Sequence, residues 1–413
     1  MLPVIQRRAA CLLGLAPLAV LAFHAGWPRH LQDVSSQTGA STRQQTLPPP
    51  RDLYEEEKIS FSAPPPSVIE GGMKCDQRGN LYLAYTDAPL QAVARERFPV
   101  QKLSPASKTI TQFSIQYAPD YESLRRVDFD VDSRGRVYAL VRAQHHLPTP
   151  ERKEFPDFLI AKFSDDGTVD SIEKLQDPPD GRLDPYRFAA FLDTGFLVTG
   201  VIRSDLGRLL RPFTRLYDRN GKLVREVELL HDVGAAPSSD AGGSRAPAQD
   251  GGANAVAPQA QKAEDPAGAK PISWSFRVSQ GRMVGAPDGS IYLARATSPP
   301  RLYAISPGGE VLREIEVKLP AEPALQAFEM SPVGPNSMFI LFTPLATGRP
   351  GEGSEYNDVR GLVDLESGKV IATYRPPAGS GDLVAACATP SGEFLFVGAS
   401  NEGKLEVVKF ASR

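Results

Sequence analysis

The sequence predicts an all-β fold, six four-stranded antiparallel sheets set in a ring. Three observations carry that prediction: a strand–turn–strand unit that recurs six times, a second hairpin after each of the first five copies, and nearly even spacing of the turn glycines. Residues 127–143, VDFDVDSRGRVYALVRA, are the clearest copy. Apolar and polar residues alternate, break at Asp-Ser-Arg-Gly, and alternate again, which is strand, tight turn, strand.

The other copies are MKCDQRGNLYLAYTD (73–87), FAAFLDTGFLVTGVI (188–202), MVGAPDGSIYLARA (283–296), FEMSPVGPNSMFILF (328–342) and AACATPSGEFLFVGAS (385–400). The following hairpins lie at 100–115, 159–175, 213–229, 301–317 and 360–374. Their Asp-Asp-Gly, Arg-Asn-Gly and Pro-Gly-Gly turns supply the positive-φ residues that tight turns need. One unit is therefore four antiparallel strands. The glycines Gly79, Gly135, Gly195, Gly289, Gly334 and Gly392 stand 56, 60, 94, 45 and 58 residues apart. A low-complexity insert of about 40 residues accounts for the outlier. Six such units make a six-bladed β-propeller, four antiparallel strands per blade. The last unit stops after KLEVVKFASR (404–413), and EKISFSAPP (57–65) supplies the missing strand. Pairing of the two closes the ring and removes exposed sheet edges.

Composition agrees. The chain has 413 residues, 41% hydrophobic and 23% charged, with 38 Pro and 35 Gly and a net charge of −3. That balance suits a turn-rich globular chain and lacks the basic footprint of a nucleic-acid binder. Residues 1–27 read as a targeting segment, with Arg7-Arg8 ahead of an apolar run to Trp27. A cleaved signal peptide is preferred over a retained anchor, in which residues 9–27 would be the only contact with a membrane. Either reading makes the chain exported, periplasmic or extracellular. Residues 28–56 read as a flexible Pro-rich linker, 57–413 as the propeller, and 233–272 within it as a disordered insert.

The D-x-x-G-x-[LIV]-Y hairpin followed by [KR]-[FL]-x-x-x-G resembles the six-bladed propellers of the NHL, TolB-like and gluconolactonase groups. The resemblance covers roughly 57–413 apart from the insert. It implies the architecture and is nearly silent on activity, because this fold hosts enzymes and pure binding modules alike.

In such a blade the tight glycine turns share one end. The longer segments 86–99, 143–156, 202–211, 343–357, 117–126, 177–187 and 233–274 share the other. Function is expected at that loop-rich end. Arg126, Arg187 and Arg277 lie near the starts of first strands, where they could form a cationic mouth for an anionic ligand; ion pairing with residues such as Asp128 or Asp184 is the preferred alternative. Glu70-Gly71-Gly72 resembles the Glu-Gly-Pro entry of the gluconolactonase family, whose Glu is a metal ligand, but one carboxylate does not make a hard-cation site. His145-His146, with Glu151 and Glu154 nearby, lack a third spaced ligand and read as a solvated loop. Cys75 and Cys387 fall in the first strands of units one and six and are a candidate disulfide. Counted back from the turn glycine they differ by one residue and so point to opposite faces, and two buried free thiols are the preferred reading.

The functional expectation is an exported binding module for a small molecule, glycan or protein, acting through the loop-rich face without a cofactor. The alternative is a gluconolactonase-like hydrolase or lyase using Glu70 and Ca²⁺ or another divalent metal. Whether the chain is an enzyme stays open between these two.

Overall fold

The computed structural model describes residues 46–65, 68–86, 99–115, 120–145, 155–229, 281–297, 299–320, 325–344, 358–377 and 384–412. All of them belong to one compact unit, Gln44–Arg413. The targeting segment, most of the expected linker, the insert 233–272 and Arg277 lie outside the described residues.

The described residues are all-β. After β1 (Pro50–Ser60) the first sheet comprises β2 (Val68–Cys75), β3 (Leu81–Thr86), β4 (Val100–Ser104) and β5 (Thr109–Phe113). The second comprises β6 (Tyr121–Val131), β7 (Val137–His145), β8 (Asp157–Phe163) and β9 (Val169–Lys174). The third holds β10 (Arg182–Phe191), β11 (Gly195–Arg203), β12 (Leu209–Asp218) and β13 (Leu223–Glu226); the fourth holds β14 (Arg282–Gly285), β15 (Ile291–Arg295), β16 (Arg301–Ile305) and β17 (Val311–Glu316). The remaining strands are β18 (Leu325–Val333), β19 (Ser337–Pro344), β20 (Val359–Asp364), β21 (Val370–Arg375), β22 (Val384–Ala388), β23 (Phe394–Ala399) and β24 (Leu405–Ser412). They join β1 in one eight-stranded sheet of order β18-β19-β20-β21-β1-β24-β23-β22. Its two edges, β18 and β22, touch, so this sheet curls nearly closed.

The inner strands β2, β6, β10, β14, β18 and β22 each contact the next, and β22 contacts β2, which gives a propeller arrangement. Each sheet's second strand is sandwiched between neighbours: Leu81–Tyr85, Val137–Val141 and Ile291–Ala294 are buried on both faces. Burial on both faces is why Val137–Val141 is apolar throughout, where alternation was expected from the sequence. Most residues of the fourth strands β5, β9, β13 and β17 are exposed or half-buried, with Phe113 and Ile315 buried.

The expected closure strand pairs with β24, but it starts earlier. Leu53 to Ser60 run antiparallel to Ser412 to Glu406, and Pro50 to Asp52 run parallel to Thr373 to Arg375 of β21. Residues 50–56, expected as linker, are strand. Leu53 and Ile59 are buried in the seam core, which a flexible linker would not supply. Because β1 pairs on both sides, two sheets expected to be separate are fused into one.

Segment 202–211 was expected to be a long loop and is instead a tight hairpin. The Gly207 amide bonds the Ser204 carbonyl and the Ser204 amide bonds the Arg208 carbonyl, with Gly207 at φ +77°. Parts of two other expected loops, 121–126 and 182–187, are the first residues of β6 and β10.

The D-x-x-G-x-[LIV]-Y motif is structural. Asp132 Oδ1 accepts the amides of Arg134 and Arg136, and Asp76 Oδ1 accepts those of Arg78 and Asn80. The Tyr82 hydroxyl donates to Asp76 Oδ2 at 2.9 Å, and Tyr138 donates to Asp132 Oδ2 at 3.4 Å. One carboxylate thus fixes the turn and a buried hydroxyl together.

Candidate functional site

Two places gather polar chemistry: the axis, where the inner strands meet, and a cavity between the first two sheets at the loop-rich end.

At the axis, side chains from one inner strand repeatedly bond the backbone of another. The Lys74 ammonium pairs with Asp130 and donates to the Met283 carbonyl at 3.2 Å. Asp130 Oδ2 accepts the Ala190 amide at 2.7 Å, and Asp128 Oδ2 accepts the Phe188 amide at 3.3 Å. Arg187 donates to the carbonyls of Gly281 and Tyr186, and Arg282 donates to those of Phe328 and Gly281. Burial pushes the Asp130 carboxyl up from its usual range, while Lys74 and the amides of Ala190 and Val131 pull it down. Burial lowers Arg282 to about 10, aided by Arg187 and opposed by Asp128 and Glu329. Burial raises Glu329 to about 8, opposed by Arg282, the Met73 amide and Arg360. Apart from Glu329, whose Oε2 has no hydrogen-bond partner among the described residues, these charges are spent on joining strands of different sheets.

Four residues come together at the loop-rich end of the second sheet. Asp157 Oδ2 accepts from the Tyr121 hydroxyl at 3.0 Å, contacts His145 Nε2 at 2.9 Å and pairs with Lys174 at 2.7 Å. The Tyr121 and His145 rings stack with centroids 4.6 Å apart. Burial and the Asp157 bond push the Tyr121 hydroxyl up to about 12. Asp157 lies below its ordinary range: burial acts to raise it, and Lys174, Tyr121 and His145 outweigh that.

Register shows which way this cluster faces, because directly opposed residues of an antiparallel pair share a face. Tyr121 opposes His145, Leu124 opposes Ala143, which opposes Asp157, and Arg126 opposes Val141, which opposes Leu159. Ala139, Val141 and Ala143 pack against Val100 and Phe113 of the first sheet, so the whole row faces that sheet. Between the two lies a cavity of about 490 Å³. Val100, Phe113, Ile115, Ala139, Val141 and Phe163 form its apolar wall, and Gln112, Ser114, Glu122, Ser123 and Arg126 contribute polar groups. Phe113 and Phe163 meet edge to face with centroids 5.7 Å apart.

The residues singled out from sequence go to different surroundings. Arg126 lines this cavity, whereas Arg187 reaches the Gly281 carbonyl. Asp184 pairs with Arg203 and not with Arg187. Glu70 lies in β2 with its backbone opposite Ala84, and its side chain lies outside the described residues. Among the described residues no three His, Cys, Asp or Glu converge as metal ligands. His145, expected in a loop, ends β7; His146, Glu151 and Glu154 lie outside the description.

Cys75 and Cys387 are joined as a disulfide, with Cα atoms 5.7 Å apart, which corrects the free-thiol reading. The one-residue offset was sound and its consequence was misread. Neighbouring sheets stack face to face, so a bond between them needs side chains from opposite faces.

The Tyr121–His145–Asp157–Lys174 group and the cavity were missed from sequence. A bulge between Arg126 and Asp128 hides them. Simple alternation puts Arg126, Asp128 and Asp130 on one face. The bulge turns Arg126 toward the first sheet and leaves the two aspartates facing the third.

No family model matches the chain, and no curated protein matches it. Solved structures resemble it at low identity. A member of the duf4221 family from Bacteroides vulgatus has a TM-score of 0.44 at 9% identity, covering 87% of this chain and 98% of its own. The PQQ-bound form of an aldose sugar dehydrogenase from Streptomyces coelicolor has 0.40 at 11%, covering 89% and 100%. A protein of unknown function from Bacteroides caccae has 0.39 at 12%, covering 75% and 82%.

Proposed function

We propose that this chain is an exported β-propeller module that binds a small molecule without transforming it. The finer architecture belongs to the same reading. The eight-stranded sheet is two blades, β18–β21 and β22–β24 with β1, joined where β1 passes between them. The ring then has six blades of the NHL or TolB-like type.

The cavity between the first and second sheets carries the reading. Its volume falls in the range of small-molecule pockets, and it combines apolar walls with a few polar groups. At the axis, by contrast, Lys74, Asp130, Arg187 and Arg282 are engaged with one another or with backbone. The hydrolase or lyase alternative turns on Glu70, whose side chain lies outside the described residues.

A thermal-shift screen of the full chain against small-molecule sets tests this, because a ligand that binds only the folded state raises the melting temperature. Hits lost in Leu124→Trp, which narrows the cavity from the face that opposes Ala143, support the reading. Hits that persist in that variant place binding elsewhere. A melt that falls on adding EDTA and recovers with Ca²⁺ favours the metal-dependent alternative.

A further inference from the structure

We infer that the cavity takes an amphipathic anion: a compact apolar body ending in a carboxylate or sulfonate that Arg126 receives. The inference rests on the binding reading above and adds the chemical class of the ligand. Apolar residues from both sheets supply the floor, and five of the described residues supply its polar lining. Charge decides the head group. Asp157, the acid on the same sheet face, is already matched by Lys174, Tyr121 and His145. Glu122 is exposed. Arg126 is half-buried, lines the cavity, and sits on the face that opposes Val141 and Leu159. Its guanidinium has five donors in a planar fork, so it can engage a carboxylate while keeping a protein contact. A charge-assisted bond in a part-buried place also discriminates strongly against a neutral head of equal size.

Anilinonaphthalenesulfonate, an apolar double ring with one sulfonate, is the first probe. It should bind the folded full chain at one site with blue-shifted emission. Octanoate should displace it at least about tenfold more effectively than octanol, the scale of one charge-assisted hydrogen bond. In Arg126→Gln that preference should fall to about one, while octanol competes as before. In Ala139→Leu, which fills the floor, dye binding should be lost. Leu124→Trp serves the same purpose from the rim if Ala139→Leu fails to fold. Octanoate and octanol competing equally in the wild type would overturn the anion assignment and leave the binding reading standing. An unaltered preference in Arg126→Gln would overturn the role of Arg126. Failure of dye, octanoate and octanol alike to bind would remove both the inference and this cavity as the site.

Discussion

Lys74 and Asp130, on the inner strands of neighbouring sheets, form an ion pair that also engages a third and a fourth sheet. The ammonium reaches the Met283 carbonyl, and the carboxylate holds the Ala190 amide. Asp130 is 1% exposed at its side chain. Removing one partner of a buried pair strands the other, at a cost of about 3–5 kcal/mol. Asp130→Ala should therefore destabilise by that order in denaturant titration. Lys74→Met should cost less, because the carboxylate keeps its amide donors. A loss below about 0.5 kcal/mol for Asp130→Ala, the scale of an ordinary surface substitution, would mean the pair is not what joins these sheets.

The disulfide between Cys75 and Cys387 spans a sequence separation of 312 residues. It ties the start of the ring to its end, in the same core that holds Leu53, Ile59 and Phe410. Loss of a native disulfide typically costs about 2–5 kcal/mol. Cys387→Ser should lower stability by that order, and reducing agent should do the same to the wild type but not to the variant. Thiol titration of the unfolded chain before and after reduction checks the bond directly.

Gly221 is required twice over. Its φ is +73°, and a Cβ there would lie 2.2 Å from the Lys174 carbonyl oxygen of the preceding sheet. The Gly221 carbonyl also accepts the Gln176 amide at 2.9 Å. Gly368 repeats the arrangement against the Glu316 carbonyl. Gly221→Ala should cost more than about 1 kcal/mol, the usual positive-φ strain, because neighbouring backbone must also move. Gly403, with φ +68° and open space around it, is the control: Gly403→Ala should show the strain alone. Equal losses at the two positions would refute the packing argument.

Much of the fold was legible in the sequence because it is written locally. Turn glycines, the Asp-to-Tyr spacing and the apolar second strands each follow from nearest-neighbour chemistry. What was hidden depends on where one sheet meets the next. The bulge beside Arg126 leaves no mark in an alternating pattern, yet it decides which sheet that side chain faces. The Asp157 cluster gathers residues from four strands that only register brings together. Arg126 was singled out for its position on a first strand, while its surroundings depended on that bulge.

Glu329 gives the ring a pH dependence with a definite sign. It is buried, Oε2 has no hydrogen-bond partner among the described residues, and its carboxyl is raised from 4.5 to about 8. Between those values the folded chain holds a proton that the unfolded chain has released. Stability contributed by this group therefore falls as pH rises through the window, by at most about 1.4 kcal/mol per unit, and is constant above it. Arg282 and Arg360 temper the loss by favouring the charged form, and neither gives Oε2 a hydrogen bond. Glu329→Gln keeps the shape and removes the ionisation. It should match the wild type near pH 4.5 and exceed it by a few kcal/mol at pH 8, measured by denaturant unfolding at matched ionic strength. A wild-type-to-variant difference that stays flat from pH 5 to pH 8 would show that Glu329 ionises as freely in the folded chain as in the unfolded one.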